Sequence, residues 1–312
     1  MSSFRDPNVA TTEDTLPAPP EGSLDWPWMV TADQRAGFPY MGLWPRITVV
    51  TPSFNQAEFL ERTVRSVLLQ GYPNLEYIII DGGSTDGSVD IIRKYESRLA
   101  YWVSEHDQGQ ADAINKGLKR ATGDWLAWQN SDDVYYPGTF AAVARAASER
   151  PHVRLFTGNM VMIDTDDKRL REVRYVRPTY GALRAEGMIL TNQAAFWHRD
   201  VHERIGYLSE SLTCAFDYEW FLRVAEHFEG RHVNEVWGGL RIHEATKSQK
   251  LAVRFAEEMD SVRRQRPFPG WKVPLYRARR AFLMTMRGDA GYVASGVADR
   301  LRRRLIGIPR IT

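Results

Sequence analysis

The sequence has a single cysteine, Cys214, among its 312 residues. One cysteine excludes an intramolecular disulfide and a metal centre built from several cysteines. The apolar runs are far too short to cross a bilayer, and the first residues, Met1 to Arg5, begin no signal-peptide pattern. Without a signal peptide or a membrane span, we expect a cytoplasmic protein. Because 43% of the residues are hydrophobic, we also expect a sizeable core.

Glycine-rich phosphate-binding loops are also missing. The segment "DGGSTDG" does not match G-x-x-x-x-G-K-[ST], and the chain has no G-x-G-x-x-G. Both absences argue against a P-loop nucleotide hydrolase and against a dinucleotide-binding enzyme.

The chain has little net charge, +2, because 41 Lys and Arg nearly balance 39 Asp and Glu, but the two signs are unevenly distributed. Residues 251–312 hold 14 Arg and Lys against 5 Asp and Glu, so this region carries +9 and the rest of the chain −7. A basic end on an acidic body indicates an anionic partner surface, either lipid or nucleic acid. A solvated helix face explains the pattern equally well.

Short β-branched runs alternate with helical patterns from Ile47 onward. The runs "ITVVTP", "LEYIIID", "LAYWVSE" and "DWLAW" predict strands, and the segments between them predict capped helices, the first capped by Asn55. Such alternation predicts an α/β fold with a mostly parallel central sheet flanked by helices. Residues 139–250 predict a mixed sheet, with two short strands in "RHVNEVWGGLRIHEATKS", and residues 251–312 predict helices.

Polar residues follow each of the four predicted strands. In a parallel sheet the ligand lies beyond the carboxyl ends of the strands, so these polar residues should meet in one crevice. The four strand ends are Thr51 to Asn55, Asp81 to Ser84, Glu105 to Asp107, and Asn130 to Asp133.

Two neighbouring carboxylates, Asp132 and Asp133, are the strongest chemical signal in that crevice. They could hold a hard divalent cation that keeps water and phosphate oxygens in its coordination shell. They could equally form a solvated turn. Asp81 suits a base or ribose contact, or a turn before two glycines. Asp217 could act as a general base, or it could simply place a favourable negative charge at the start of a helix. His243 stands alone, and lone histidines are more often structural.

Taken in chain order, these segments resemble an inverting family 2 glycosyltransferase. The segments "ITVVTPSFNQAEFLERTVRSVLLQGYPNLEYIIIDGGSTDGSVDII" and "SEHDQGQADAINKGLKRATGDWLAWQNSDD" resemble the family's nucleotide-binding start and its continuation to the aspartate motif. "FDYEWFLR" resembles the acceptor-side motif and "RIHEATKS" the later histidine motif. The similarity covers about residues 46 to 250.

The resemblance implies a GT-A-type fold in four parts. An extended arm, 1–45, precedes a nucleotide-sugar-binding half, 46–138. An acceptor-binding half with the catalytic base, 139–250, is followed by a basic helical extension, 251–312.

Roles for individual residues follow from the same resemblance. Asp217 would be the catalytic base, Asp133 the direct metal ligand and His243 a second metal or diphosphate contact. The nucleotide-sugar contacts would be Pro52, Ser53, Asn55, Asp81, Asp107, Asn115, Lys116 and Asp132. Two departures from the family pattern concern these roles: Asn130 stands where Asp-x-Asp would begin, and Phe216 precedes Asp217 where Glu is frequent.

The implied activity is metal-dependent sugar transfer with inversion, in polysaccharide or glycolipid synthesis. The partners would be Mn²⁺ or Mg²⁺, a nucleotide sugar, first of all a UDP-sugar, and a saccharide or lipid-linked acceptor, with no nucleic acid. The basic C-terminal region would touch the inner face of a membrane. The alternatives are a nucleotidyltransferase, a non-catalytic nucleotide-sugar binder and a membrane-surface scaffold.

Overall fold

The structure is a computed structural model that describes residues 16–23, 25–31, 42–243 and 251–296. Its first half is the predicted parallel sheet. Strands β1 (Ile47–Ser53), β2 (Leu75–Asp81), β3 (Tyr101–Ser104) and β4 (Trp125–Trp128) pair in the order β3-β2-β1-β4, all parallel. Every residue of β1 is buried, as expected for a central strand that is covered on both faces.

Three helices connect these strands: α1 (Ala57–Leu68), α2 (Ser88–Lys94) and α3 (Gln110–Arg120). The predicted cap of the first helix is wrong. Asn55 has a positive φ of 51° and lies before the helix, and its side-chain oxygen accepts from the Thr85 amide (2.9 Å). The carboxylate of Asp86 instead accepts from the Ala57 amide at the start of α1 (2.9 Å).

The second half extends the same sheet with strands of both directions. Its elements are β5 (Val134–Tyr135), α4 (Thr139–Glu149), β6 (Leu155–Ile163), β7 (Arg169–Val173), α5 (Tyr180–Glu186), β8 (Ala195–His198), α6 (Asp200–Ile205), α7 (Phe216–His227) and β9 (Gly230–Arg241). The sheet continues from β4 in the order β8-β6-β9-β5, and β7 pairs with β6. The two short strands predicted before His243 are one strand of 12 residues, β9.

Aromatic residues join the two halves. Trp128 at the end of β4 stacks on Phe221 of α7 (ring centroids 5.7 Å) and meets Trp220 edge-on (5.9 Å). Trp197 of β8 packs against Trp220 at 4.6 Å. All three tryptophans are fully buried, so they belong to the core of an α/β fold with a mixed, curled sheet.

The chain continues into two helices, α8 (Ala252–Arg264) and α9 (Lys272–Met286). The rest of the predicted helical extension, residues 297–312, lies outside the described residues. Part of the predicted N-terminal arm is described and packs on the first half: Arg65 of α1 donates to the carbonyls of Pro17 (2.7 Å) and Trp28 (2.6 Å). Among the described residues, no helix is both long and apolar enough to cross a membrane.

Candidate active site

The two adjacent aspartates after β4 point into different surroundings. Asp133 is buried, and both of its oxygens accept hydrogen bonds: from the Arg241 amide (2.9 Å), from Gln193 Nε2 (2.6 Å) and from Asn130 Nδ2 (3.0 Å). Burial, reinforced by the negative charge of Asp132, raises the pKa of Asp133 to about 8. The role of Asp133 as the direct metal ligand stays a prediction.

Replacement of Asp133 by alanine should therefore act on stability. It removes the acceptor of three donors, two of which lie in the buried interior, so the free energy of unfolding should fall by roughly 2–4 kcal/mol. Urea denaturation followed by tryptophan fluorescence measures this change. An unfolding midpoint equal to that of the parent protein would show that Asp133 does not hold the loop.

Asp132 is partly exposed and meets a residue from a distant strand. Its Oδ2 lies 3.1 Å from Nε2 of His243, which follows β9 by two residues. The His243 ring packs against Phe59 of α1 (centroids 4.7 Å). The structure thus brings together Asp132 and His243, two of the residues that the sequence predicted for donor and metal binding.

A buried arginine fixes the loop that carries Asp132. Arg241 has no exposed side-chain surface, and its guanidinium donates to the carbonyls of Asp132 and Asp164 (2.8 Å each) and to the Asp167 carboxylate (2.5 Å). Arg241 was not among the site residues predicted from the sequence. The signal was an arginine at the end of an apolar strand, two residues before the candidate histidine.

A glycine lets β9 approach the site closely. A Cβ on Gly238 would collide with the backbone carbonyl of Gln193. Because this position lacks a side chain, β9 lies directly against the segment that carries Gln193, whose amide reaches Asp133. Gln193 is a second residue that sequence patterns did not reveal.

The loop after β2 is organised around Asp81. Its buried carboxylate accepts from the amides of Gly83 (3.1 Å) and Ser84 (2.9 Å) and from the hydroxyls of Ser84 (2.5 Å) and Ser104 (2.7 Å). The predicted turn-forming role is therefore present. A ligand contact through the same carboxylate stays a prediction.

The end of β1 lies next to the loop that Asp81 organises. Pro52 and Ser53 are buried strand residues, whereas Phe54 is 59% exposed. A Cβ on Gly82 would lie 2.5 Å from Asp107 Oδ2 and 3.3 Å from the Phe54 ring, so Asp107 and Phe54 both lie close to this glycine. Phe54 was missed from sequence, although an aromatic directly after a buried strand is a usable signal.

Asn115 and Lys116, both on α3, differ in their surroundings. Asn115 is buried, and it exchanges hydrogen bonds with the backbone of Leu208 (2.9 and 3.0 Å) while also donating to Glu210 (2.8 Å). It therefore anchors the loop before α7. Lys116 is more exposed and pairs with Glu105 (3.1 Å) and Asp112 (3.4 Å) at the end of β3 and the start of α3.

Asp217 lies in the first turn of α7 and is half-buried. Its carboxylate accepts from the Tyr218 amide at 2.6 Å. The segment before it is held by Glu258 of α8, which accepts from the amides of Thr213 (3.0 Å), Cys214 (2.8 Å) and Ala215 (2.9 Å). Burial acts to raise the pKa of Glu258, but the three amides outweigh it and the pKa is lowered.

Glu258→Ala should loosen the start of α7. Loss of a charged acceptor for three amides should lower the free energy of unfolding by about 1–3 kcal/mol at neutral pH. Because the folded-state pKa of Glu258 is depressed, its contribution is present above the unfolded pKa and disappears as the pH falls through the folded value. Thermal melts of both proteins between neutral and acid pH should converge at low pH. A constant difference would contradict the ionised role.

The possible metal ligands at this site fit a divalent cation that fills most of its coordination shell with water and phosphate oxygens. No group of three or more Asp, Glu, His or Cys side chains suited to a metal occurs within 16–23, 25–31, 42–243 and 251–296. Asp132 and His243 do offer one carboxylate and one imidazole side by side. An ion that takes two protein ligands, with water and phosphate oxygens for the rest, suits this pair.

Comparison with known proteins assigns the class. Residues 48–206 match the family model "Glycosyl transferase family 2", and the chain belongs to this family. An uncharacterized glycosyltransferase of Mycobacterium tuberculosis is 34% identical over 186 residues, which are 58% of this chain and 69% of that protein. TuaG of Bacillus subtilis, named for teichuronic acid biosynthesis, is 39% identical over 121 residues, 38% of this chain and 48% of TuaG.

Solved structures of GT-A-type glycosyltransferases share the fold. S. aureus TarS in complex with UDP-GlcNAc superposes with a TM-score of 0.57 at 17% identity, over 70% of this chain and 65% of that one. The mannosyltransferase PcManGT of Pyrobaculum calidifontis, in complex with GDP-Man and Mn²⁺, gives 0.53 at 19% identity, over 83% and 81%. The predicted GT-A-type fold is confirmed.

Proposed function

We propose that this chain transfers a sugar, with inversion, from a nucleotide diphosphate sugar to an acceptor hydroxyl. The observation that carries the proposal is the pairing of Asp132 with His243 at the carboxyl edge of the parallel strands. This edge is where α/β sheets bind ligands. Residues 46–138 would bind the donor, and residues 139–250 would bind the acceptor and supply the base.

Asp132 and His243, rather than Asp133, would hold the cation. Asp132 is the more open carboxylate, whereas three donors already occupy Asp133. When bound, Mn²⁺ or Mg²⁺ supplies positive charge next to the leaving diphosphate. Asp133 and Arg241 would keep the loop in place, one by its carboxylate and the other by its guanidinium.

The donor's nucleoside would lie over the loops after β1 and β2. Asn55, Asp81 and Asp107 would bind its polar groups, and the exposed ring of Phe54 offers a flat surface for a base. Both neighbouring structures named above contain nucleotide sugars, a UDP-sugar in one and a GDP-sugar in the other. A UDP-sugar remains the first candidate here.

Asp217 would act as the general base. A hydroxyl is a weak nucleophile, so a carboxylate within hydrogen-bond reach that takes its proton speeds attack on the anomeric carbon. The new bond forms on the face opposite the departing diphosphate, which inverts that carbon. Glu258 would serve as a positioning residue, because it holds the three amides that precede α7.

The acceptor would be a saccharide or a lipid-linked saccharide used in cell-surface polysaccharide or glycolipid synthesis. The name of TuaG supports this class of product. The enzyme would work in the cytoplasm, with its basic C-terminal region at the inner face of a membrane.

A nucleotide-sugar screen tests the proposal. The protein is incubated with UDP- and GDP-sugars, with Mn²⁺, with Mg²⁺ or with chelator, and released nucleoside diphosphate is measured. Cation-dependent release from one donor is the expected result. Release of pyrophosphate from a nucleoside triphosphate would indicate a nucleotidyltransferase. Binding of a donor without turnover under any condition, with saccharide acceptors included, would indicate a binding protein.

A further inference from the structure

Helix α9 turns large apolar side chains to solvent. Trp271, just before the helix, is 68% exposed, and Leu275, Phe282 and Met286 are 58%, 62% and 71% exposed. Their spacing of 4, 7 and 4 residues places all four on one helical face. We call these four residues the apolar ridge.

The opposite face of α9 attaches the helix to the protein. Met284 is buried, and Arg280 pairs with Glu186 of α5 (2.8 Å). A Cβ on Gly181 would collide with the Tyr276 side chain, so α5 and α9 pack closely there. The ridge is therefore a second apolar face, in addition to the one that the helix uses for packing.

Positive charge borders the ridge along one side. By helical periodicity Lys272 and Arg279 of α9 lie beside the ridge, whereas Arg277 lies on the opposite side of the helix, and there is no Asp or Glu between residues 272 and 286. Lys272 and Arg279 also line a cavity of about 570 Å³ between α9 and the start of α5, together with Trp271 and Leu275 of the ridge. Apolar and cationic groups thus share one surface.

We propose that the apolar ridge binds to an anionic lipid bilayer. The helix would lie in the plane of the membrane for about 22 Å, with the ridge among the upper acyl chains. Lys272 and Arg279 would then contact lipid phosphates, while their aliphatic parts extend the apolar surface. A tryptophan at one end suits the boundary between headgroups and hydrocarbon.

Charge argues against a second copy of this chain as the occupant. Two α9 helices that met through their ridges would bring their lysines and arginines together, with no carboxylate on either helix to offset them. An anionic bilayer offers the opposite charge. The inference does not depend on sugar transfer, because lipid binding can occur in a protein with no enzymatic activity.

Vesicle flotation of the full chain tests the inference. Vesicles of phosphatidylcholine alone are compared with vesicles that also contain phosphatidylglycerol, at low and high salt. We expect binding to the anionic vesicles only, weakened by salt. Leu275→Glu combined with Phe282→Glu should lower the bound fraction at least about tenfold. Thermal melts establish that this variant is folded.

Val253→Glu is the matched control, because Val253 is 74% exposed but lies on α8, outside the ridge. This variant should float like the parent protein. Equal losses in both variants, no flotation of the parent protein, or full flotation of the ridge variant would each overturn the proposal. A parent dimer that the ridge variant converts to monomer, without vesicle binding by either, would assign the ridge to self-association instead.

Discussion

Asp217→Asn is expected to lower turnover by about 10²–10⁴-fold, the usual contribution of a general base. Asparagine keeps the size of the side chain and its ability to accept from the Tyr218 amide, but it does not take a proton at neutral pH. Donor binding should remain close to that of the parent protein, since the proposed nucleotide site lies on the other half of the sheet. Single-turnover rates with a saturating donor, together with donor affinity by calorimetry, separate the two effects.

Asp200→Asn is the matched control for that experiment. Asp200 also lies in the first turn of a helix, α6, and pairs with Arg154 (3.2 Å) on the surface. Its replacement should leave turnover within a factor of about two, as for most surface substitutions. Turnover near the parent rate in Asp217→Asn would reject Asp217 as the base, and an equal loss in both variants would point to a general effect on folding.

Asp132→Asn is expected to lower turnover by a factor of about 10²–10³. Deleting one electrostatic contact to a transition state typically causes a loss of this size. The carboxylate should also contribute to cation-dependent donor binding, so the affinity for donor with Mn²⁺ should fall toward its value in chelator. Stability should change little, because the Asp132 side chain is partly exposed. Titration of donor with and without Mn²⁺, in parallel with thermal melts, measures all three quantities.

The comparison of Asp132→Asn with Asp133→Ala distinguishes the two aspartates. The first variant should be folded and weakly active, whereas the second should be destabilised. If Asp132→Asn retained cation-dependent binding and a stably folded Asp133 variant lost it, the ion would belong to Asp133, as the sequence alone suggested.

Local patterns were enough to predict the first half of the fold. Buried runs such as "ITVVTP" and "LEYIIID" are continuous and apolar because both faces of a central parallel strand are covered. The polar residues after these strands lie at one edge of the sheet as a consequence of parallel pairing. The position of the candidate site was therefore accessible from sequence.

The different surroundings of Asp132 and Asp133 were not accessible in this way. Neighbouring aspartates look equivalent in a sequence, and their difference comes from donors 60 and 108 residues away, Gln193 and Arg241. Gly238 has no local pattern either, since it is required by a backbone that approaches from another segment. Long-range contacts of this kind decide burial, and burial decides which carboxylate stays open.

Strand β9 lies between β6 and β5 in the sheet, but it is synthesised after both of them. The ribosome synthesises the proposed donor half, residues 46–138, first, so we expect its parallel strands to pair before β9 has been synthesised. Arg241 and His243 arrive more than 100 residues after the loop that they complete. A nascent chain stalled short of them should possess the nucleotide crevice without the finished cation site, so catalytic competence should appear only after β9 has inserted.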